Sequence, residues 1–166
     1  MGSAFFVIKN INPLVPPLLK GVETPSFDKG GLGWIFIRLK LMKEINVVAA
    51  VLQKDGKYFI ARRPLDRQLG GLWEFPGGKV EPGETHEEAL VREMLEEFDA
   101  DVKVCNFIHT VHKVADERKI VLHFYYSDLI STRFEMKEHI GMFWGTVDEL
   151  KTKELAPGDF EILDYL

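Results

Sequence analysis

The stretch that decides the fold runs from Gly77 to Val102, GGKVEPGETHEEALVREMLEEFDADV. It opens in a glycine- and proline-rich loop over 76–84 and changes character at Thr85. Thr85 followed three residues later by Glu88 is a capping box, in which each side chain satisfies a backbone N–H of the other residue. The spacing predicts a helix from there to about Phe98. On a wheel of about 100° per residue with Glu93 at zero, Leu90, Val91, Met94, Leu95 and Phe98 fall on one apolar arc. Glu93, Glu96 and Glu97 share the opposite side, with only the methyl of Ala89 between them. Like charges three and four residues apart repel. Arg92, four residues before Glu96, offers the local relief, and Glu84, ahead of the cap, can fold back as a fourth carboxylate. Three or four hard oxygens from one loop and one helix suit Mg²⁺, which prefers carboxylate, water and phosphate.

Outward from this segment, Ile45–Leu52 (INVVAAVL) reads as a buried strand. Lys54-Asp55-Gly56-Lys57 is a tight turn and Tyr58–Arg63 its partner, together a hairpin. Leu72–Phe75 is a short strand. Val102–Val114, Ile120–Ser127 and Met142–Val147 read as further strands, Asp148–Lys153 as a helical turn and Asp159–Leu166 as a closing helix. This order predicts one α+β domain with a mixed β-sheet over residues 42–166. Residues 1–41 differ: they hold four of the eight prolines, five glycines, five bases and only Glu23 and Asp28 as acids. They read as an irregular extension, either a leader or an added stretch, with a weak similarity to a transit peptide; Met42 is an alternative start.

Composition narrows the class. With 166 residues, 46% hydrophobic and 28% charged, the chain has the make-up of a globular domain. The most apolar stretch, Trp34–Leu41, is broken by Arg38 and Lys40 and falls short of the ~18 residues of a membrane span. A single cysteine, Cys105, forms no internal disulfide, so a reducing cytoplasm is the expected compartment, with Cys105 buried on a strand. The five histidines have no metal-ligand spacing. Nine carboxylates between Glu81 and Asp101 stand against one base, Arg92, so these 21 residues carry −8 and the remainder +3 of a total of −5. That pattern excludes duplex nucleic acid as partner, which calls for a broad basic face, and fits a cation site beside an anionic ligand.

The same residues carry a resemblance. Gly78, Glu84, Arg92, Glu93, Met94, Glu96 and Glu97 stand at the spacings of the Nudix box, with Ala100 as its small apolar residue; Asp99 departs from the glycine of that pattern. Tyr58–Arg63 (YFIARR), Leu72–Pro76 (LWEFP) and Leu155–Asp159 (LAPGD) resemble the MutT branch of the family, and the likeness covers about 43–166. The resemblance implies the Nudix fold, a mixed sheet sandwiched between helices. It implies hydrolysis of a nucleoside triphosphate, such as 8-oxo-dGTP or a (d)CTP analogue, to the monophosphate and pyrophosphate, in nucleotide sanitation, by a monomer or homodimer. Glu93, Glu96 and Glu97 would hold Mg²⁺, or Mn²⁺ in its place, with Gly78 at the metal, Arg92 orienting them, and Glu97 or Glu96 near the attacking water. Glu138 is the candidate for a late-loop ligand, or else a surface acid. Arg63, Phe75 and Asp159 would surround the base and Lys79 would reach the phosphates. The plainer alternatives are core packing for Phe75, a surface ion pair for Arg63, an exposed loop lysine for Lys79 and an N-cap for Asp159. Asp159 stands where the prototype uses asparagine, and an ionised carboxylate only accepts hydrogen bonds. ADP-ribose or a dinucleotide polyphosphate is the alternative substrate, ADP-ribose being a weaker fit since no proline stands between Pro82 and Pro157; a non-catalytic base-binding module is the rival class, although such modules lose box carboxylates and this chain keeps them.

Overall fold

The computed structural model describes residues 42–130 and 132–166. The extension over 1–41 and its targeting reading lie outside the described residues.

Strand β1 (Lys43–Lys54) is the axis of the domain. Its buried run alternates between two layers. Val48, Ala50 and Leu52 face a cluster with Ala89, Leu90, Met94 and Phe98; Ala49 and Val51 face a second with Phe75, Leu150, Ile162 and Leu163. A strand covered on both faces has no polar side to show, which is why its sequence reads as a continuous apolar run. The turn places Asp55 and Gly56 at positive φ, 51° and 73°, as a two-residue hairpin loop demands, and returns the chain as β2 (Lys57–Arg62).

The sheet is mixed. In the order β3-β2-β1-β6-β5, β1 runs parallel to β6 (Arg118–Leu129) and the other pairings are antiparallel. The two short strands β3 (Trp73–Glu74) and β4 (Gly77–Lys79) join β2 and β1, β5 (Val102–Ala115) lies beside β6, and β7 (Gly141–Gly145) pairs with β2. The part of the expected loop that becomes β4 does so because Gly77 and Gly78 pair directly with Ala49 and Val48.

Helix α1 (His86–Phe98) covers one face, with the complete Thr85–Glu88 capping box. Its first residue is tied to the sheet, His86 Nδ1 lying 2.8 Å from the Tyr125 hydroxyl. The other face is covered by α2 (Val147–Lys151), α3 (Pro157–Glu161) and a 3₁₀ turn over Ile162–Tyr165. The closing helix thus begins two residues earlier than expected, because Pro157 occupies N1, where its fixed φ suits a helix start. Ala156 is the N-cap, and Asp159 lies inside the first turn rather than capping it. Cys105 is on β5 as expected but only partly buried, its thiol donating to Asp128 at 3.4 Å. No helix among the described residues is long and apolar enough to cross a membrane.

One expectation about α1 is corrected. Val91 and Leu95, placed on the core arc by the wheel, are 41% and 44% exposed, while Ala89 is fully buried. The buried arc is turned toward the side that carries Ala89, Glu93 and Glu97, since β4 packs against the helix there. Replacing Thr85 by alanine removes one half of the capping box and should destabilise the domain by about 1 kcal/mol in urea unfolding, with Thr85→Ser close to wild type.

Candidate functional site

Gly78 lies directly against the Glu93 side chain of the helix. A Cβ built there would lie 2.2 Å from Glu93 Oε1, and one on Gly77, at φ 150°, would lie 2.0 Å from the carbonyl oxygen of Val48. Only glycine leaves room for the Glu93 carboxylate. The Gly77 N–H then donates to Glu97 Oε2 at 3.3 Å. Glu93 and Glu97 are therefore tucked between α1 and β4, whereas Glu96, the third box glutamate, points outward with its side chain 56% exposed.

Arg92 is the local counter-charge. Its Nε and Nη2 donate to the two oxygens of Glu84 at 2.7 and 2.9 Å, Nη1 reaches Glu93 at 2.9 Å and Glu96 at 3.3 Å, and Nη2 also donates to the Lys79 carbonyl at 3.0 Å. This planar fork ties loop to helix. Bonded to Arg92, Glu84 is held down at about 2; the fourth carboxylate predicted from the loop is the brace of Arg92 and, as folded, is taken up by it.

The inner acids behave in the opposite way. Burial raises Glu93, with Arg92 pulling against it and Glu96 and Glu138 adding to the rise. Glu97 is pushed up to about 9, first by burial and then by the charges of Glu74, Glu93 and Glu138, which its bond from Gly77 does not offset. Glu138 thus lies within electrostatic reach of both, although its side chain is on the surface. Lys79 is exposed, and its part in the geometry is through its carbonyl.

Toward the opposite layer, Asp159 is buried and its Oδ1 accepts from the Phe75 N–H at 2.8 Å. Burial, with the charge of Glu74 adding, raises its carboxyl to about 8. An ionised Asp159 would only accept hydrogen bonds; a neutral acid both donates and accepts, as an amide does. Phe75, expected at the base, has its ring in the core, 3% exposed and edge-on to Phe124. What it offers is its backbone. Arg63 is engaged in an ion pair, Nη1 to the two Glu74 oxygens at 2.7 and 2.6 Å.

Two residues escaped the sequence reading. Glu74 binds Arg63 and also His139, whose Nε2 lies 3.0 Å from Oε1, and its charge reaches both Glu97 and Asp159. The available signal was an acid between two aromatics, Trp73 and Phe75, in a strand that is otherwise apolar. His139 is buried and follows Glu138 directly.

A NUDIX domain profile matches residues 42–166. The chain belongs to this family. It is 37% identical over 123 residues to the CTP pyrophosphohydrolase of Escherichia coli K12, covering 74% of this chain and 91% of that one. It is 45% identical over 84 residues to the 8-oxo-dGTP diphosphatase of Proteus vulgaris, covering 50% and 75%. The solution structure of the E. coli ORF135 protein superposes with a TM-score of 0.67 at 36% identity, over 82% of this chain and 92% of that one. The crystal structure of a MutT NUDIX hydrolase from Burkholderia pseudomallei, 22% identical with a TM-score of 0.68, shares the fold.

In this Nudix box the departure at Asp99 is locally compensated. Asp99 caps α1 at φ 48°, in the left-handed region, with its N–H donating to the Leu95 carbonyl at 3.1 Å. Asp tolerates that conformation at some cost. Lys137 at 3.1 Å and Arg133 at 3.7 Å neutralise its carboxylate, the bond from Lys137 holding it below its usual value.

Glu97 gives the metal-free protein a defined pH dependence. An acid whose folded value is raised keeps its proton when folded and loses it when unfolded, so stability is highest below the unfolded value near 4.5 and falls as pH rises toward about 9. Glu97→Gln should remove this decline. Denaturant unfolding without metal should find the variant more stable than wild type at pH 8, with a difference that vanishes near pH 4 and grows by at most about 1.4 kcal/mol per pH unit.

Proposed function

We propose that the chain is a nucleoside triphosphate pyrophosphohydrolase of the MutT type, acting on oxidised or modified nucleotides such as 8-oxo-dGTP or (d)CTP analogues. The observation that carries this reading is the set of acids gathered around Glu97, two of them pressed by glycine backbone into a partly dry cleft. Water's oxygen forms one P–O bond, one phosphoanhydride P–O bond breaks, and the products are the nucleoside monophosphate and pyrophosphate. The names of the E. coli and Proteus relatives support the same class of substrate.

The residues fit a hard divalent cation, for which Mg²⁺, or Mn²⁺ in its place, is the choice. Glu93, Glu97 and Glu138 are oxygen donors; the charges of Glu93 and Glu138 make Glu97 costlier to ionise, and that of Glu138 does the same to Glu93, a cost that a dication would relieve. Among the described residues no group of three or more His, Cys, Asp or Glu side chains is placed, as folded, to hold a metal ion. Side chains would have to turn toward the ion, and substrate phosphate and water would supply the remaining oxygens. Glu93, Glu97 and Glu138 would hold it, with Glu96 turning in from the rim and the Gly78 backbone beside it. The ion supplies charge stabilisation of the phosphoryl oxygens and a more acidic water.

The chain's own groups do the rest. Arg92 fixes the rotamers of Glu93 and Glu96 against the loop. Glu97, held by Gly77, takes a proton from water once it is ionised. Lys79, exposed on β4 beside Gly78, offers a cation to the phosphates. Asp159, held through Oδ1 by the Phe75 N–H, offers its other carboxyl oxygen to the edge of the base, with Arg63 alongside. A base-binding module without hydrolysis has no use for Glu93 and Glu97 in so costly a setting.

Incubation with Mg²⁺ and a panel of 8-oxo-dGTP, dGTP, CTP, dCTP and 5-methyl-dCTP, resolving both products, tests this reading. One triphosphate should yield monophosphate and pyrophosphate, and Glu97→Gln should lose at least ~100-fold in kcat; intact folding with no product from any of them would refute it. Since binding the cation displaces the proton of Glu97, apparent Mg²⁺ affinity should rise with pH by up to about tenfold per unit below pH 9. Asp159→Asn should preserve turnover and shift the ranking of bases, read as kcat/KM across the panel, whereas Asp159→Ala should leave the Phe75 N–H unpaired at a stability cost of about 1 to 3 kcal/mol.

A further inference from the structure

The segment that carries Glu138 is not anchored by Glu138 itself. On its N-terminal side the Glu135 and Lys137 N–H groups donate to the last carbonyls of α1, to Phe98 at 2.7 Å and Glu97 at 2.8 Å. Phe134 stacks on Phe98 with centroids 5.4 Å apart. On the C-terminal side the Ile140 N–H donates to the Arg62 carbonyl at 2.9 Å. Between these anchors the one buried polar side chain is His139, only 3% exposed. Its ring also stacks on Phe98, at 5.1 Å and 16°, and its Nε2 meets Glu74 Oε1 at 3.0 Å.

A carboxylate only accepts, so the hydrogen at this contact belongs to Nε2. The other ring nitrogen, Nδ1, is buried with no hydrogen-bond partner, the only such side-chain atom among the described residues. Burying a polar atom unsatisfied is costly, and an apolar ring would pack on Phe98 without that penalty. The imidazole is therefore there for what Nε2 does. Glu74, its partner, is in turn pinned by both oxygens to Arg63.

We infer that His139 is a positioning residue that sets the reach of Glu138 toward Glu93 and Glu97, through its stack on Phe98 of the carboxylate helix and its bond to Glu74. The inference rests on the hydrolase reading, with Glu138 as the late-loop oxygen donor to the divalent ion, and adds to it the device that delivers that donor. The stack ties the segment to the helix that bears the box, and the bond ties it to the strand that bears Glu74. Glu138 is one peptide away from both constraints. Misplacement of a reacting group by about 1 Å can cost about 100-fold.

The test is a cycle of His139→Phe, Glu138→Gln and the double variant, with His139→Gln as the conservative change that restores an N–H donor. Each protein is assayed for kcat and KM, and separately titrated with Mn²⁺ alone by water-proton relaxation. His139→Phe keeps the aromatic stack and should lower kcat and Mn²⁺ affinity by about 10- to 100-fold, with KM within about threefold, and His139→Gln should recover most of both. In the Glu138→Gln background His139→Phe should cost nothing further, because residues acting as one unit are not additive. An equal loss in both backgrounds, or wild-type kcat and Mn²⁺ affinity in Glu138→Gln, would overturn the inference. Should the phenylalanine variant fail to fold, Glu74→Met removes the acceptor and breaks the same contact from the other side, and unchanged Mn²⁺ affinity there would overturn it equally. If the wild-type chain cleaves no triphosphate, the hydrolase reading falls, while the Mn²⁺ titrations still decide whether His139 acts through Glu138.

Discussion

Bringing a glutamate of a helix against a neighbouring backbone requires that nothing stand between them, and at Gly77 and Gly78 nothing does. The missing Cβ atoms let β4 close on α1 until the Gly77 amide bonds Glu97 and the Glu93 carboxylate occupies the space a side chain would fill. Everything electrostatic in the cleft follows from that approach. Two acids leave bulk water, their neighbours are other acids, and the single guanidinium of Arg92 is shared among Glu84, Glu93 and Glu96. A solvated acidic helix would have carried the same residues with none of these consequences.

The helix itself shows how far local sequence reasoning reaches. Capping box, start and end were legible because they rest on interactions within a few residues of one another. The direction of the buried arc was not. A wheel weighs side chains by their own hydrophobicity, and by that measure Val91 and Leu95 belong inside and Glu93 and Glu97 outside. The partner across the interface reverses this, since a strand of glycines offers amides and space instead of methyl groups. The same limit explains Phe75 and Asp159. Both were expected at the base, yet whether a ring faces a cleft or a core depends on Phe124, and whether a carboxyl is charged depends on burial that comes from β3 and α3 together.

Contacts between segments far apart in the chain were the least legible. Glu74 and His139 are 65 residues apart, and no periodicity links a two-residue strand to an irregular loop. Glu74 could have been suspected as an acid in an apolar setting; His139 had no such mark. By contrast the Thr146–Glu149 capping box of α2 repeats the Thr85–Glu88 signature, so that short helix was readable by the rule already applied to the longer one.

The alternation of β1 carries a consequence for how the domain tolerates substitution. Even-numbered residues from Val48 to Leu52 belong to the layer that holds the box helix, and odd-numbered ones to the layer of Phe75 and the C-terminal helices. The acids of the box helix and the Phe75–Asp159 contact thus rest on separate cores divided by a single strand. A substitution that reshapes one core reaches the other through β1, and Glu74, whose charge is felt at both Glu97 and Asp159, is the position at which that separation ends.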